Sequence, residues 1–166
     1  PTQDMPTWDG RVTLDPKVKD HWGIPVLRIS GDKHDHTIEI ELQSQANLLG
    51  EETELQSVVS NLVANAVRYT PPEGEIVIRW TVDADGGHLA VRDTGIGISE
   101  EDIPRVTERF YRADGGRARQ RGGTGLGLAI VKYALRRHDA ELEIQRRLGQ
   151  GSTFVCHFPR DRLALS

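Results

Sequence analysis

The chain has 166 residues, a length at which one compact domain removes roughly two-thirds of its unfolded surface from water. Hydrophobic residues make up 37% and charged residues 28%, and no apolar run approaches the ~20 residues that span a bilayer, so the composition excludes a disordered or membrane-embedded chain. Twenty-one basic residues are interspersed with 25 acidic ones for a net charge of −4, which lacks the basic footprint of a nucleic-acid binder.

The single cysteine, Cys156, has no internal disulfide partner and lies in an apolar strand pattern, so it reads as a core residue suited to a reducing compartment. The chain begins at Pro1 with no basic-then-apolar leader and reads as a piece of a longer protein.

In chain order, residues 1–31 contain Pro6, Gly10, Pro16, Gly23 and Pro25, which break every long periodicity and predict a linker or N-terminal extension. Residues 37–42 alternate Ile38, Ile40 and Leu42 with Glu39 and Glu41, the period of a half-buried strand. Leu55, Val58, Val59, Leu62, Val63, Ala66 and Val67 recur every three or four positions and predict an amphipathic helix over residues 52–69, ended by Thr70-Pro71-Pro72. Strand patterns at 75–82 and 88–93 flank Asp85-Gly86-Gly87, a hairpin turn signal. Ser99 followed by Glu100, Glu101 and Asp102 predicts a capped short helix with Pro104 in its first turn. Arg112, Arg117, Arg119 and Arg121 then share a basic stretch with four glycines. A helix is predicted from Leu126 to about His138, and a hairpin over 141–146 and 152–158 turns at Gly149-Gln150-Gly151. Strands and helices in this order predict an α+β fold: a two-layer sandwich with a mixed, mostly antiparallel sheet and helices on one face. The domain is expected over residues 32–160, with 161–166 as a C-terminal tail.

Three groups of residues carry chemistry. Asn61 and Asn65 are one turn apart on one helix face, outside the apolar stripe, and an amide oxygen is a hard ligand suited to magnesium. Taken alone, the pair is more often a polar helix edge. Asp93-Thr94-Gly95-Ile96-Gly97-Ile98 ends a strand on a carboxylate beside two glycines, where a buried acid could accept the exocyclic amine of adenine; the plain alternative is a turn. Gly122-Gly123-Thr124-Gly125-Leu126-Gly127-Leu128 runs into a helix whose first turn offers unpaired N–H donors to a phosphate. A dinucleotide-binding loop would follow a strand, and a P-loop would carry Gly-Lys-Ser or Gly-Lys-Thr; neither holds here.

Taken together, residues 61–69, 93–97, Glu108-Arg109-Phe110-Tyr111-Arg112, 123–127 and 149–151 resemble, in order, the N, first glycine, F, second glycine and third glycine boxes of histidine-kinase catalytic domains. The resemblance spans residues 37–159 and, in the strings at 107–112 and 126–132, is particularly strong to phosphate-responsive sensor kinases. It implies a Bergerat ATP-binding fold and the cofactors ATP and Mg2+. Asn65 would coordinate the metal, Asn61 would support it, and Arg68 and Lys132 would face the phosphates, these four forming the catalytic set. Asp93 would read adenine and Tyr69 would pack near the base, with Gly95, Gly97 and Ile98 shaping the pocket floor. Gly123, Thr124, Gly125, Leu126 and Gly127 would carry the phosphate side, with Phe110, Tyr111, Arg112 and Thr153 as further nucleotide-binding positions. Residues 112–122 would form a lid, although each lid arginine reads equally as solvated charge, and Phe110 as core or a partner contact.

The implied reaction transfers the γ-phosphoryl group of ATP to a histidine. His21, His34, His36, His88, His138 and His157 all lack the His-Glu-Leu-Arg-Thr-Pro context of family acceptors. The implied partners are therefore an acceptor and dimerisation domain outside this chain and a response regulator, with the parent a membrane-bound homodimer whose catalytic part is cytoplasmic. His138, at a helix end, is read as a position where a cation suits the dipole. Alternatives within the same fold are a gyrase- or chaperone-type ATPase clamp, an anti-sigma-type serine kinase and a regulatory module without catalysis. The clamp enzymes place a glutamate base where Asn61 stands.

Overall fold

A computed structural model describes residues 11–19, 25–30, 36–113, 123–147 and 149–164. Helix α1 (Glu52–Tyr69) follows the apolar stripe: Val58, Leu62, Ala66 and Val67 are buried. Its N-terminus is capped by the Glu51 carboxylate, which accepts from the Glu54 N–H at 2.7 Å, and Glu52 and Glu54 face the positive end of the dipole. It stops at Thr70, whose extended backbone turns the chain into Pro71 and whose hydroxyl donates back to the Ala66 carbonyl at 2.6 Å.

The remaining elements in chain order are β1 (Arg11–Lys19), β2 (Pro25–Ser30), β3 (His36–Leu42), β4 (Asn47–Leu48), β5 (Glu75–Val82), β6 (Gly86–Asp93), α2 (Gly127–Arg137), β7 (Glu141–Arg147), β8 (Gly151–Pro159) and β9 (Leu163–Ala164). Seven strands form one sheet in the order β1-β2-β3-β5-β6-β8-β7. The β3–β5 pair is parallel, because α1 crosses between them, and the other pairs are antiparallel. Ile38, Ile76, Val91, Phe154, Cys156 and Phe158 point from this sheet onto α1 and onto Val131, Ala134 and Leu135 of α2, forming one core. Each fully buried Leu, Ile or Phe contributes about 1.5–3 kcal/mol. Cys156 sits in this core, where burial pushes its thiol pKa up to about 12, so it is inert at neutral pH. Both helices lie on one sheet face, as expected for the α+β sandwich.

Several elements differ from the sequence expectation. Within residues 1–31, read as a linker, β1 and β2 pair antiparallel and extend the sheet beyond β3. The prolines that argued against strands occupy positions a sheet tolerates. Pro25 opens β2, and Pro16 falls where the edge strand shifts register between Asp15 and Lys19. Within the expected tail, Leu163 is buried, β9 pairs with β4, and the Leu49 N–H donates to the Arg162 carbonyl at 2.7 Å.

Ser99 to Phe110 forms consecutive turns rather than the expected short helix. Its backbone bonds run three residues apart, from Asp102, Arg105, Glu108 and Tyr111 to Ser99, Asp102, Arg105 and Glu108. Pro104 supplies no N–H to a helical ladder, although Ser99 Oγ still accepts from the Asp102 N–H at 3.3 Å as a cap would. His138 also departs from its expected cationic role. Its Nε2 accepts from the Glu51 N–H at 3.0 Å, which puts the ring proton on Nδ1, donated to the Ala134 carbonyl at 2.7 Å. The neutral ring ties the end of α2 to the start of α1.

Candidate functional site

One cavity of about 400 Å³ opens between α1, the end of β6 and the start of α2. It gathers residues from segments far apart in the chain: Asn61, Asn65, Arg68 and Tyr69 from α1, Asp93 at the end of β6, Gly97 and Ile98 after it, Tyr111 and Arg112 after the turns, and Gly123, Thr124, Gly125 and Gly127 before and in α2. All of these were expected from the sequence. The helix-borne amide, the strand-end acid and the glycine rim therefore share a single space.

Asp93 is the buried acid of this cavity, only 4% exposed. It ends β6 opposite Ser152 of β8 and Ile76 of β5, with its side chain on the helix face of the sheet. Burial raises its carboxyl pKa above the usual range, opposed by hydrogen bonds from the Gly95 N–H, at 2.8 Å, and the Ser152 N–H. Gly95 is not a lining residue; it is packed beneath the acid. A Cβ there would stand 2.5 Å from the Tyr69 carbonyl oxygen and 2.7 Å from Asp93 Oδ1, so only glycine lets this turn approach the end of α1. Gly95→Ala is expected to destabilise the domain by about 1–3 kcal/mol, read as a lower urea midpoint with an unchanged slope.

On α1, the Asn61 amide Nδ2 donates to the Ser57 carbonyl at 2.8 Å and lies 3.2 Å from Ser57 Oγ, which directs Oδ1 away from its own helix. That oxygen faces Gly127, where a Cβ would approach it to 3.0 Å. Asn65, one turn later, lines the cavity as well. Among the lining residues these two amides are hard oxygen donors next to the glycine rim, which suits them to a magnesium ion carrying phosphates and water.

The glycine rim has positive charge beside it. The Arg68 guanidinium lies under Gly123, within 2.9 Å of where a Cβ would stand, and Arg112 Nη1 donates to the Gly123 carbonyl at 3.2 Å. Gly125, at φ +71°, passes against the Phe110 backbone, and the Phe110 N–H donates to the Gly125 carbonyl at 2.9 Å.

Ala64, Ile96, Ser99, Asp102, Val106, Ala113, Leu128 and Ser152 also line the cavity and lie outside the expected set of site residues. Asp102 organises one wall: the hydroxyls of Ser99 and Tyr111 both donate to its carboxylate, and the Arg105 guanidinium covers the Tyr111 ring at 4.3 Å. These bonds, that from Ser99 foremost, hold the Asp102 carboxyl below its usual range.

Phe110, Leu126, Lys132 and Thr153 were expected at the nucleotide but do not line the cavity. Phe110 is 72% exposed, and Leu126 holds the N-cap position of α2. Lys132 is exposed, with Nζ 3.4 Å from Thr107 Oγ1. Thr153 is displaced by strand alternation, which turns Ser152 toward the cavity and Thr153 to the opposite sheet face.

Known proteins resemble this chain in sequence and fold. A family profile described as "Histidine kinase-, DNA gyrase B-, and HSP90-like ATPase" matches residues 50–162. The phosphate regulon sensor protein PhoR of Pseudomonas aeruginosa is 57% identical over 129 residues, 78% of this chain and 29% of that protein. The sensor-like histidine kinase SenX3 of Mycobacterium tuberculosis is 39% identical over 132 residues, 80% of this chain and 32% of that protein. This chain thus spans about three-tenths of such relatives. Among solved structures, the mycobacterial sensor histidine kinase MprB superposes with a TM-score of 0.66 at 30% identity, covering 74% of this chain and 83% of that one. Full-length ShkA in complex with AMPPNP gives 0.64 at 28% identity, covering 78% of this chain and 26% of that one. With the profile matched over most of the chain and the same sandwich in both structures, this chain belongs to the histidine kinase-, gyrase B- and HSP90-like ATPase family and is an ATP-binding domain of the kind found in sensor histidine kinases.

Proposed function

We propose that this domain binds Mg2+-ATP in the cavity described above and transfers the γ-phosphoryl group to a histidine on a separate helical acceptor domain, within a phosphate-responsive two-component sensor. The observation that carries the reading is the convergence of Asn65, Asp93 and Gly125 on one space. The magnesium would be held by Asn65 with Asn61 beside it, and when bound it neutralises phosphate charge. Asp93 selects adenine, because its buried carboxylate takes the exocyclic amine and a base without that donor would strand it. Arg68 and Arg112 flank the rim at Gly123, where they offset the negative charge of the phosphates. The domain's contribution is positioning and charge, with no covalent intermediate on its own side chains.

Partners are inferred on the same footing: the acceptor and dimerisation domain of the parent protein and a response regulator, the parent being a membrane-anchored homodimer with this domain in the cytoplasm. The names of the relatives, which are sensor proteins, support this. Among the described residues no helix is long and apolar enough to cross a membrane.

The clamp-type alternative needs a general base for water. In the cavity the carboxylates are Asp93, spent on Gly95 and Ser152, and Asp102, spent on Ser99 and Tyr111, while Asn61 is an amide. Steady-state hydrolysis by the isolated domain is therefore expected to be slow. Incubation with γ-labelled ATP tests the assignment. The chain alone should stay unlabelled, and an added two-helix acceptor domain should gain an acid-labile phosphohistidine. Brisk phosphate release without transfer would instead favour the clamp.

A further inference from the structure

The sheet face away from the helices carries a side-chain cluster that nucleotide chemistry does not use. His88 of β6 and His157 of β8 are direct cross-strand partners. Alternation puts Leu89, Val91, Phe154, Cys156 and Phe158 in the core, so both imidazoles stand on the open face, partly exposed to solvent. Their rings meet edge to face with Nδ1 and Nδ1 only 2.8 Å apart. At the far ends, His157 Nε2 is hydrogen-bonded to Glu143 Oε2 at 2.8 Å, and His88 Nε2 lies 3.0 Å from Asp83 Oδ1. The second contact is not in line, so the His88 nitrogen is buried without a hydrogen-bond partner. Asp83 nonetheless sits close enough to hold a proton there by charge.

The Nδ1 atoms are at hydrogen-bond distance, so in the metal-free pair one Nδ1 donates to the other, and the carboxylate beside each Nε2 lets that proton move to the far side of its ring and free both Nδ1 lone pairs. Two lone pairs then converge on one point, where a cation can replace the shared proton. A carboxylate behind the distal nitrogen is also what orients metal-ligating histidines. We infer that His88 and His157 form a two-imidazole site for a borderline transition-metal dication, Zn2+ or a close relative, on the open face of the sheet. At metal–nitrogen distances of about 2.0–2.1 Å, tetrahedral ligands stand about 3.3 Å apart, so the rings need to open by roughly 0.5 Å. Among the described residues no set of three or more such side chains converges on one point, so water completes the coordination and the affinity is modest.

Zinc titration of the full chain tests this, followed by 15N NMR of the imidazoles and by equilibrium binding to the single variants H88A and H157A and to the double variant. Both positions are on the open sheet face, and the wild-type spectra require no substitution. The expected result is that Nδ1 of both rings shifts with added Zn2+ while both rings of the bound state carry their proton on Nε2, with one zinc fewer bound by the double variant and affinity at least tenfold weaker in either single variant. Two results would overturn the site: Nδ1 signals that stay put at millimolar Zn2+, meaning that the pair shares only a proton, or equal zinc stoichiometry in the double variant.

Discussion

Asp93→Asn is expected to separate affinity from stability, weakening ATP binding while raising the melting temperature of the nucleotide-free domain at neutral pH. The loss of affinity follows from donor geometry. The carboxylate only accepts, whereas an asparagine that keeps its oxygen toward the Gly95 N–H turns its NH2 toward the adenine amine, another donor. Losing a charge-assisted hydrogen bond costs about 1.5–3 kcal/mol, or roughly 10- to 100-fold in affinity. The gain in stability follows from burial, which raises the Asp93 pKa in the folded state. With the folded pKa above the unfolded one, the native state binds more protons. The stability this contributes is complete below the unfolded pKa and is lost as pH rises through the folded pKa. At neutral pH the wild type thus carries a buried charge that the variant lacks. Thermal melts from pH 4 to pH 7.5 should show the variant's advantage growing with pH; a variant less stable at every pH would mean that the carboxylate supports the fold.

Asn65→Ala is expected to cost at least about 100-fold in phosphotransfer and to remove the magnesium dependence of nucleotide binding, because no other lining side chain on this turn of α1 offers a hard oxygen. The fold should not suffer. Asn65 is only partly buried, and alanine is a better helix former by about 0.7 kcal/mol at most, so the melting point should hold or rise slightly. Affinity measured with and without Mg2+ reads the effect. A variant that keeps the wild-type ratio would move the metal assignment to Asn61 or away from α1.

What was legible in the sequence follows its local periodicities. The apolar stripe of Leu55 to Val67 and the stop at Thr70-Pro71 marked α1, and the alternation at Glu75–Val82 marked β5. The site residues were readable because their chemistry is concentrated in short strings: two amides one turn apart, an acid before two glycines, and glycines before a helix. Strands β1 and β2 are hidden because Pro16 and Pro25 are breaker signals locally, whereas long-range pairing and a register shift accommodate both. Ser152 and Asp102 escaped for a related reason. Ser152 enters the cavity only through its pairing with Asp93, and Asp102 only because turns, rather than a helix, fold Tyr111 back onto it. Ser152 is remote from Asp93 in the chain, and the short span from Asp102 to Tyr111 holds no motif that exposes its turns. Lys132 and Thr153 show the converse, since a position matching a pattern still depends on which face its element turns to the cavity.

Backbone amide NMR during titration with Mg2+-ATP tests most directly whether one cavity binds the whole magnesium nucleotide. The signals of Asn65, Gly95 and Gly125, from three separate segments, should move together and saturate with a single dissociation constant. Perturbations confined to one segment, or three segments titrating with different constants, would contradict it.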